Sequence, residues 1–173
     1  MGIELGVGIE EIEEAEKLLQ IKFPGKLLTF SLPKTDMVVN ISTIVLWSIV
    51  GLVEQSSIKE IWQVSNGLEV GEWRLFPIFS KKNPKKSWGH VVEENTNNRW
   101  EYRPKDLIAI AVDGSGDNLV LKIENGNASE IIYHWDHETN KASPSKQKLS
   151  NILALANKRV EKIKKQMEKN IKK

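Results

Sequence analysis

Apolar residues recur at helical spacing near the start of the chain. Ile9, Ile12, Ala15 and Leu19 stand three or four positions apart, with glutamates between them. This period predicts an amphipathic helix whose acidic face meets solvent. A proline restricts the residue before it, so we expect the helix to end before Phe23-Pro24.

A second helix is predicted at residues 57–65. Ser57 and Glu60 have the spacing of a capping box, which satisfies the free N–H groups at the start of a helix. Gly67 can supply the left-handed residue that follows a helix. Between the two helices, residues 34–55 are rich in β-branched residues, but their pattern does not separate a buried strand from a buried helix.

From residue 72 onward, short apolar or alternating runs are bounded by turn residues, which predicts strands. The runs occupy residues 73–79, 107–111, 118–123 and 130–135. We expect them to form one mostly antiparallel sheet. The glycine-containing turns at 114–116 and 125–126 predict that its last three strands form a meander, and residues 81–99 predict a loop or a short helix.

The end of the chain again has a helical apolar stripe, and Ser143-Pro144 can open this helix. The stripe consists of Leu149, Ile152, Leu153, Ala156, Val160, Ile163 and Met167. We predict that the basic end at residues 161–173 frays. Together the patterns predict a single α+β domain over residues 1–173, a mostly antiparallel sheet flanked by N-terminal and C-terminal helices.

Composition narrows the possible functions. The chain is 40% hydrophobic and 28% charged, which is typical of soluble globular proteins, and its net charge of +2 gives no argument for direct binding of nucleic acid. The absence of cysteine excludes disulfides and thiolate catalysis.

No secretory pattern opens the chain, and its longest apolar stretch, residues 41–53, is shorter than the roughly 18 residues that cross a bilayer. We therefore expect a cytoplasmic protein without membrane contact or cofactor, whose oligomeric state the sequence does not indicate.

One segment near the end has the side chains that a transition metal prefers. It contains His134, Asp136, His137 and Glu138. In a strand, His134 and Asp136 share one face, whereas the other two fall in the following turn, so one converging site requires a sharp bend. No HExxH or other recognised spacing is present. We favour a structural or surface role and no metal, and keep a metal-dependent hydrolase as an alternative.

A glycine-rich segment resembles a calcium-binding loop only in part. Asp113, Ser115, Asp117 and Glu124 occupy positions 1, 3, 5 and 12 of the EF-hand template. Asn118 stands where the template requires glycine, and a strand is predicted where the template continues. A tight turn in which aspartates cap the backbone is the favoured interpretation.

The chain contains six tryptophans. Most large aromatic side chains are buried, and we expect Trp62 and Trp135 in the core. Trp88 and Trp100 flank polar stretches and can either anchor an interface or fold back over a loop.

The order of these motifs resembles the SUKH superfamily, the Smi/Knr type of domain, over residues 9–155. The matching parts are Ala15-Glu16, Phe23-Pro24, Asn66-Gly67, the run 73–78, Pro104-Lys105-Asp106-Leu107-Ile108, the turn Asp113-Gly114-Ser115-Gly116-Asp117, the run 132–138 and a final helix. The 41 residues from Gly25 to Ser65 exceed the family's usual connection. This difference indicates an insertion or a divergent segment at 25–56.

The resemblance implies a SUKH (Smi/Knr-like) fold with helices packed on a sheet, and a binding function without catalysis. Bacterial relatives are typically encoded beside polymorphic toxins, often nucleases, which they neutralise by direct binding. The leading hypothesis is therefore a cytoplasmic immunity protein, an antitoxin, for a toxin domain encoded nearby. The alternative within the resemblance is a scaffold or regulatory module that binds host proteins.

An immunity protein needs a preformed, charged surface with a few aromatic anchors. The predicted partner-binding residues are Asp113, Asp117, Asp136, His137 and Glu138 as a polar rim, with Trp88 and Trp100 as anchors. Against a nuclease with a basic cleft, the carboxylates could stand in for phosphates. Lysine at positions 117 and 138 should then abolish protection.

Overall fold

The computed structural model describes residues 6–25, 57–82, 84–87 and 89–171. Its α-helices are α1 (Ile9–Leu19), α2 (Ile58–Val64), α3 (Val91–Asn95) and α4 (Leu149–Ile171), and a short 3-10 helix spans Pro84–Ser87. Its strands are β1 (Glu69–Val70), β2 (Trp73–Leu75), β3 (Leu107–Val112), β4 (Asn118–Glu124), β5 (Asn127–Asp136) and β6 (Lys141–Pro144).

The first helix ends where the sequence predicts. Gln20 adopts a left-handed conformation with φ 56°, which terminates α1 before Phe23. Glu16 of this helix is buried, and its carboxylate lies 2.7 Å from Lys59 Nζ and 2.9 Å from Lys22 Nζ. The same carboxylate accepts a hydrogen bond from the backbone N–H of Phe23 at 2.8 Å. This cluster fixes α1 against the start of α2.

The predicted capping box of the second helix is confirmed. The N–H of Glu60 donates to Ser57 Oγ at 3.3 Å, and the N–H of Ser57 donates to Glu60 Oε2 at 3.1 Å. The helix buries Ile58, Ile61 and Trp62. Because its first turn has its own hydrogen-bond partners, α2 needs no other group to begin at Ile58.

The six strands form one sheet in the order β1-β2-β3-β4-β5-β6, and each adjacent pair is antiparallel. The predicted meander is confirmed and extends across the whole sheet. Between β4 and β5, Asn125 and Gly126 have positive φ angles of 51° and 75°, which a two-residue hairpin turn requires. The α+β class, with an antiparallel sheet and helices at both ends, is also confirmed.

The strand predicted at residues 73–79 is shorter than expected. The ladder ends at Leu75, and one further bond joins the N–H of Phe76 to the carbonyl of Ile110. Pro77 has no N–H to donate. At Ile78 the side chain of Asn66 replaces a neighbouring strand, because its amide oxygen and nitrogen both bond to the Ile78 backbone at 2.8 Å.

The predicted start of the last helix at Ser143-Pro144 is wrong. These residues belong to β6, where Ser143 pairs with His134 and Pro144 with Tyr133, and the helix begins at Leu149. A proline is tolerated here because β6 lies at the edge of the sheet, where the missing N–H breaks no bond to a further strand. Sequence reasoning missed both edge strands, β1 and β6.

The core lies between the sheet and the helices that pack on it. Trp62 and Trp135 are fully buried, as predicted. Helix α4 packs on α2 and β5, and it buries Leu149, Ile152 and Ala156. Among the described residues, no helix is both long and apolar enough to cross a membrane. The apolar stretch at 41–53 and nearly all of the predicted insertion lie outside the described residues.

Candidate functional site

Three hairpin turns meet at one end of the sheet. Antiparallel pairing places three connections at this same end: the β1–β2 turn (residues 71–72), the β3–β4 loop (113–117) and the β5–β6 turn (137–140). We call this end of the sheet, together with Trp100, the acidic end. It carries all five predicted rim residues, and exposed Glu72 adds a further carboxylate.

Asp113 organises the β3–β4 loop. Its Oδ1 accepts hydrogen bonds from the backbone N–H groups of Ser115, Gly116 and Asp117, each at 2.9 Å. Ser115 Oγ donates to the same carboxylate at 2.8 Å. The predicted turn in which an aspartate caps the backbone is therefore confirmed. The carboxylate that would begin a calcium site is bonded to its own loop.

Asp117 connects this loop to the β5–β6 turn. Its Oδ2 lies 2.8 Å from His134 Nε2, and its Oδ1 lies 2.7 Å from His137 Nδ1. The backbone N–H of His137 donates to the same Oδ1 at 3.0 Å. Both carboxylate oxygens are therefore used inside the protein, so Asp117 acts as an organiser of the acidic end.

Electrostatics follow from this arrangement. Burial alone would raise the pKa of Asp117, but hydrogen bonds from the side chain and backbone of His137 and from His134 outweigh it and leave the pKa lowered. The hydrogen bond to Asp117 raises the pKa of His137 above its ordinary value. The lowered pKa of Asp117 and the raised pKa of His137 both favour the charged forms of this pair.

The β5–β6 turn has its own aspartate cap. Asp136 Oδ1 accepts hydrogen bonds from the backbone N–H groups of Glu138 at 2.9 Å and Thr139 at 2.8 Å. The bond from the Thr139 backbone is the largest of the effects that lower the pKa of Asp136. Glu138 itself is exposed. This carboxylate is free to meet a partner without disturbing the turn.

The segment with metal-preferring side chains does not converge on one point. His134 lies on β5 and His137 in the turn, as predicted, but both rings bond to Asp117 while Asp136 bonds to the turn backbone. Across the described residues, no three His, Asp or Glu side chains are placed to hold a metal ion. The geometry gives no support to the metal-dependent hydrolase.

Trp100 lies over the centre of the acidic end. Its ring centroid is 5.3 Å from that of His137 and 6.3 Å from that of Trp135, and 43% of the residue remains exposed. Gly116 has φ 103°, and a Cβ atom there would lie 3.5 Å from Trp100 Cζ2. Trp100 therefore folds back over the loop and still presents a face to solvent. The other predicted anchor, Trp88, lies outside the described residues.

Sequence reasoning missed Arg103, which holds the acidic end from below. It is 3% exposed, and its guanidinium donates to Asn118 Oδ1 at 2.7 Å, to Asn95 Oδ1 at 2.9 Å and to the carbonyl of Glu94 at 2.9 Å. Its carbon Cζ lies 5.9 Å from the centroid of the Trp135 ring. Burial lowers the pKa of Arg103 to about 10. No local pattern marks this arginine, because its partners come from three separate elements.

The contacts of Arg103 join the parts that carry the candidate residues. Asn118 follows Asp117 directly, and the backbone N–H of Arg103 bonds to the carbonyl of Trp100 at 3.1 Å. Arg103 thus connects the loop that bears Trp100 to the strand that follows the β3–β4 loop. The acidic end is a braced surface, because internal hydrogen bonds hold its three aspartates and ring contacts hold Trp100.

A model of the SMI1 / KNR4 family (SUKH-1) matches residues 6–152, well over half of the chain. The resemblance inferred from the sequence is confirmed. No curated protein and no solved structure matches the chain significantly. The matched range contains the whole acidic end but stops at the fourth residue of α4.

Proposed function

Because the chain belongs to the SMI1 / KNR4 family (SUKH-1), we propose that it is a non-catalytic cytoplasmic immunity protein. In this proposal it binds a protein toxin domain encoded nearby and neutralises it by covering the toxin's working surface. The acidic end is the contact surface. Its partner is a protein, and no cofactor takes part.

The observation that carries the proposal is the preorganised state of the acidic end. Asp113 and Asp136 each hold a turn through backbone hydrogen bonds, so their carboxylates are fixed before a partner arrives. Trp100 is fixed by ring contacts but still exposes 43% of its surface. Fixed groups lose little conformational entropy on binding, which favours tight association. An antidote must bind its toxin tightly and quickly.

The charge of this surface favours a basic partner. Glu72, Asp113, Asp136 and Glu138 lie at three neighbouring hairpin turns, and because each hairpin contains two strands about 4.8 Å apart, the turns repeat about every 9.6 Å. A nuclease needs a basic cleft to hold phosphates, so a row of carboxylates at this spacing can occupy such a cleft. Complementary charge also speeds the encounter of the two proteins. We therefore propose a nuclease as the toxin.

The test is co-expression with the toxin encoded immediately upstream, followed by a pull-down. Glu138→Lys is the diagnostic variant, because Glu138 is exposed and the backbone bonds of its turn go to Asp136. A lysine there would face the basic cleft, and we expect protection to be lost. This variant is more informative than a lysine at position 117, where the side chain would also break the bonds to both histidines.

The matched control is Glu124→Lys. Glu124 is exposed at the end of β4, at the opposite end of the sheet from the acidic end. Its replacement by lysine changes the net charge by the same amount as Glu138→Lys. The control should protect like the wild type. Equal protection by both variants would remove Glu138 from the interface, and absence of a complex with an active toxin would refute the immunity proposal.

The second candidate is a scaffold or regulatory module of the Smi/Knr type, which the same family match supports. It would use the same surface to hold a protein of its own cell. A gene neighbourhood without a toxin gene, together with capture of a stoichiometric host protein that Glu138→Lys releases, would favour this candidate over the first.

A further inference from the structure

The last helix continues far beyond the part of the chain that defines the family. The family match ends at residue 152, whereas α4 runs to Ile171. The remaining 19 residues of this helix span about 28 Å at 1.5 Å per residue. Of the residues whose burial is described in this stretch, Ala156 is the only fully buried one. This extension therefore adds little to the core.

Charge is divided sharply between the extension and the rest of the chain. Residues 153–173 carry eight Lys or Arg and two Glu, a net charge of +6. Residues 1–152 carry 17 Lys or Arg and 21 Asp or Glu, a net charge of −4. The overall charge of +2 hides this separation. The expectation of no direct nucleic-acid contact depended on that overall value.

Four lysines of the extension form a regular row. Lys158, Lys162, Lys165 and Lys169 follow one another at intervals of four, three and four residues, and all four are exposed. Such intervals place side chains on one face of a helix, so the row is about 16 Å long. The half-buried Val160, Ile163 and Met167 lie on the opposite face. We call these four residues the lysine row.

We propose that the lysine row binds the phosphate backbone of a nucleic acid without reading its sequence. A duplex has one phosphate per strand for every 3.4 Å of its axis, so a length of duplex equal to the row carries about five phosphates on each strand. Each lysine can therefore neutralise a separate phosphate. The helix offers no aromatic side chain on which a base could stack.

The chemistry of the row favours a nucleic acid over other anionic partners. A helix that binds an anionic membrane inserts a free apolar face, typically with Trp, Phe or Leu, whereas the face opposite the lysine row carries Val160, Ile163 and Met167, which are already half-buried in the protein. Exposed pairs of lysine with protein carboxylates contribute about 0.2–1 kcal/mol each. A nucleic acid gains more per lysine, because each neutralised phosphate releases condensed counterions.

The test measures binding of the full chain to a labelled 20-base-pair DNA duplex by fluorescence anisotropy. Four phosphate contacts give a slope of about −3.6 in log K against log salt, so affinity should fall about 50-fold between 50 and 150 mM KCl. The variant K158Q/K162Q/K165Q/K169Q keeps helix-forming side chains and should lose this binding and its salt slope. Circular dichroism checks that the helix is retained.

The matched control is K17Q/K105Q/K141Q/K146Q, which removes four exposed lysines outside the extension. It should bind the duplex with the wild-type slope. An equal loss in this control, or no binding of wild type at 50 mM KCl, would overturn the proposal. So would tighter binding to poly-L-glutamate or to phosphatidylserine vesicles than to the duplex. The toxin rescue does not involve these lysines, so either proposal can fail alone.

Discussion

Replacing Arg103 by methionine should destabilise the protein more than almost any other single change near the acidic end. Arg103 is buried without a salt-bridged carboxylate among the described residues, and its guanidinium bonds to three neutral acceptors, two on α3 and one on β4. Methionine has a similar length and no charge. The variant removes the three hydrogen bonds of the guanidinium and also the cost of burying the cation.

The size of the effect follows from these two opposing contributions. A hydrogen bond from a charged donor stabilises by about 1.5–3 kcal/mol, so three contribute about 4.5–9 kcal/mol. Burial lowers the pKa of Arg103 to about 10, which corresponds to about 3 kcal/mol that methionine would regain. Asn95 Oδ1 keeps a bond from the N–H of Ala109, but Asn118 Oδ1 and the Glu94 carbonyl lose the bond from Arg103. The net loss should be about 2–6 kcal/mol.

Urea unfolding, followed by tryptophan fluorescence, measures this loss as a lower midpoint with an unchanged m-value. Arg159→Met is the control, since Arg159 is exposed on α4 and its replacement should change the unfolding free energy by less than about 0.5 kcal/mol. A loss below about 1 kcal/mol in Arg103→Met would refute the account of Arg103 as the brace of this surface.

Two further predictions concern the acidic end itself. Because the pKa of His137 is raised by Asp117, their bond stabilises the fold below about pH 6.5 and is lost as pH rises through the raised value. The unfolding free energy, measured by urea denaturation at pH 6 and pH 8, should therefore be lower at pH 8 in the wild type. The share of this decrease that comes from the Asp117–His137 pair should vanish in Asp117→Asn. An unaltered pH dependence in that variant would contradict the pairing. Gly116→Val should destabilise by about 1–3 kcal/mol, because its φ of 103° is strained for a side chain and Trp100 lies close. Gly114→Ala, at a position with open space, should have little effect, and thermal melts of both variants measure the difference; equal losses in both would be evidence against this packing.

Much of the fold could be predicted because its signals are local. The apolar spacing of Ile9, Ile12 and Ala15 and the capping pair Ser57 and Glu60 each act within one or two turns of helix. The central strands could be predicted because alternation and turn residues bound each run. Ser143-Pro144 misled the prediction because a proline suits the first turn of a helix as well as the end of an edge strand.

The candidate site could be predicted only as a set of residue types. The sequence placed Asp113, Asp117, Asp136 and Glu138 at the ends of strands, and it suggested Trp100 as an anchor. It did not indicate that Asp117 turns inward, or that Arg103 lies beneath the surface. The division into one domain and the fraying of residues 161–173 stay predictions.

The sequence by itself determined the helices, the central strands and the excess of carboxylates in the turns, since these depend on neighbours a few positions apart. The tertiary structure decided which of those groups meet. Asp117 bonds to His134 and His137 across 17 and 20 residues because the β4–β5 register sets Asn118 opposite Trp135. Register depends on the packing of the whole sheet, since a shift by one residue would turn every buried side chain to the other face.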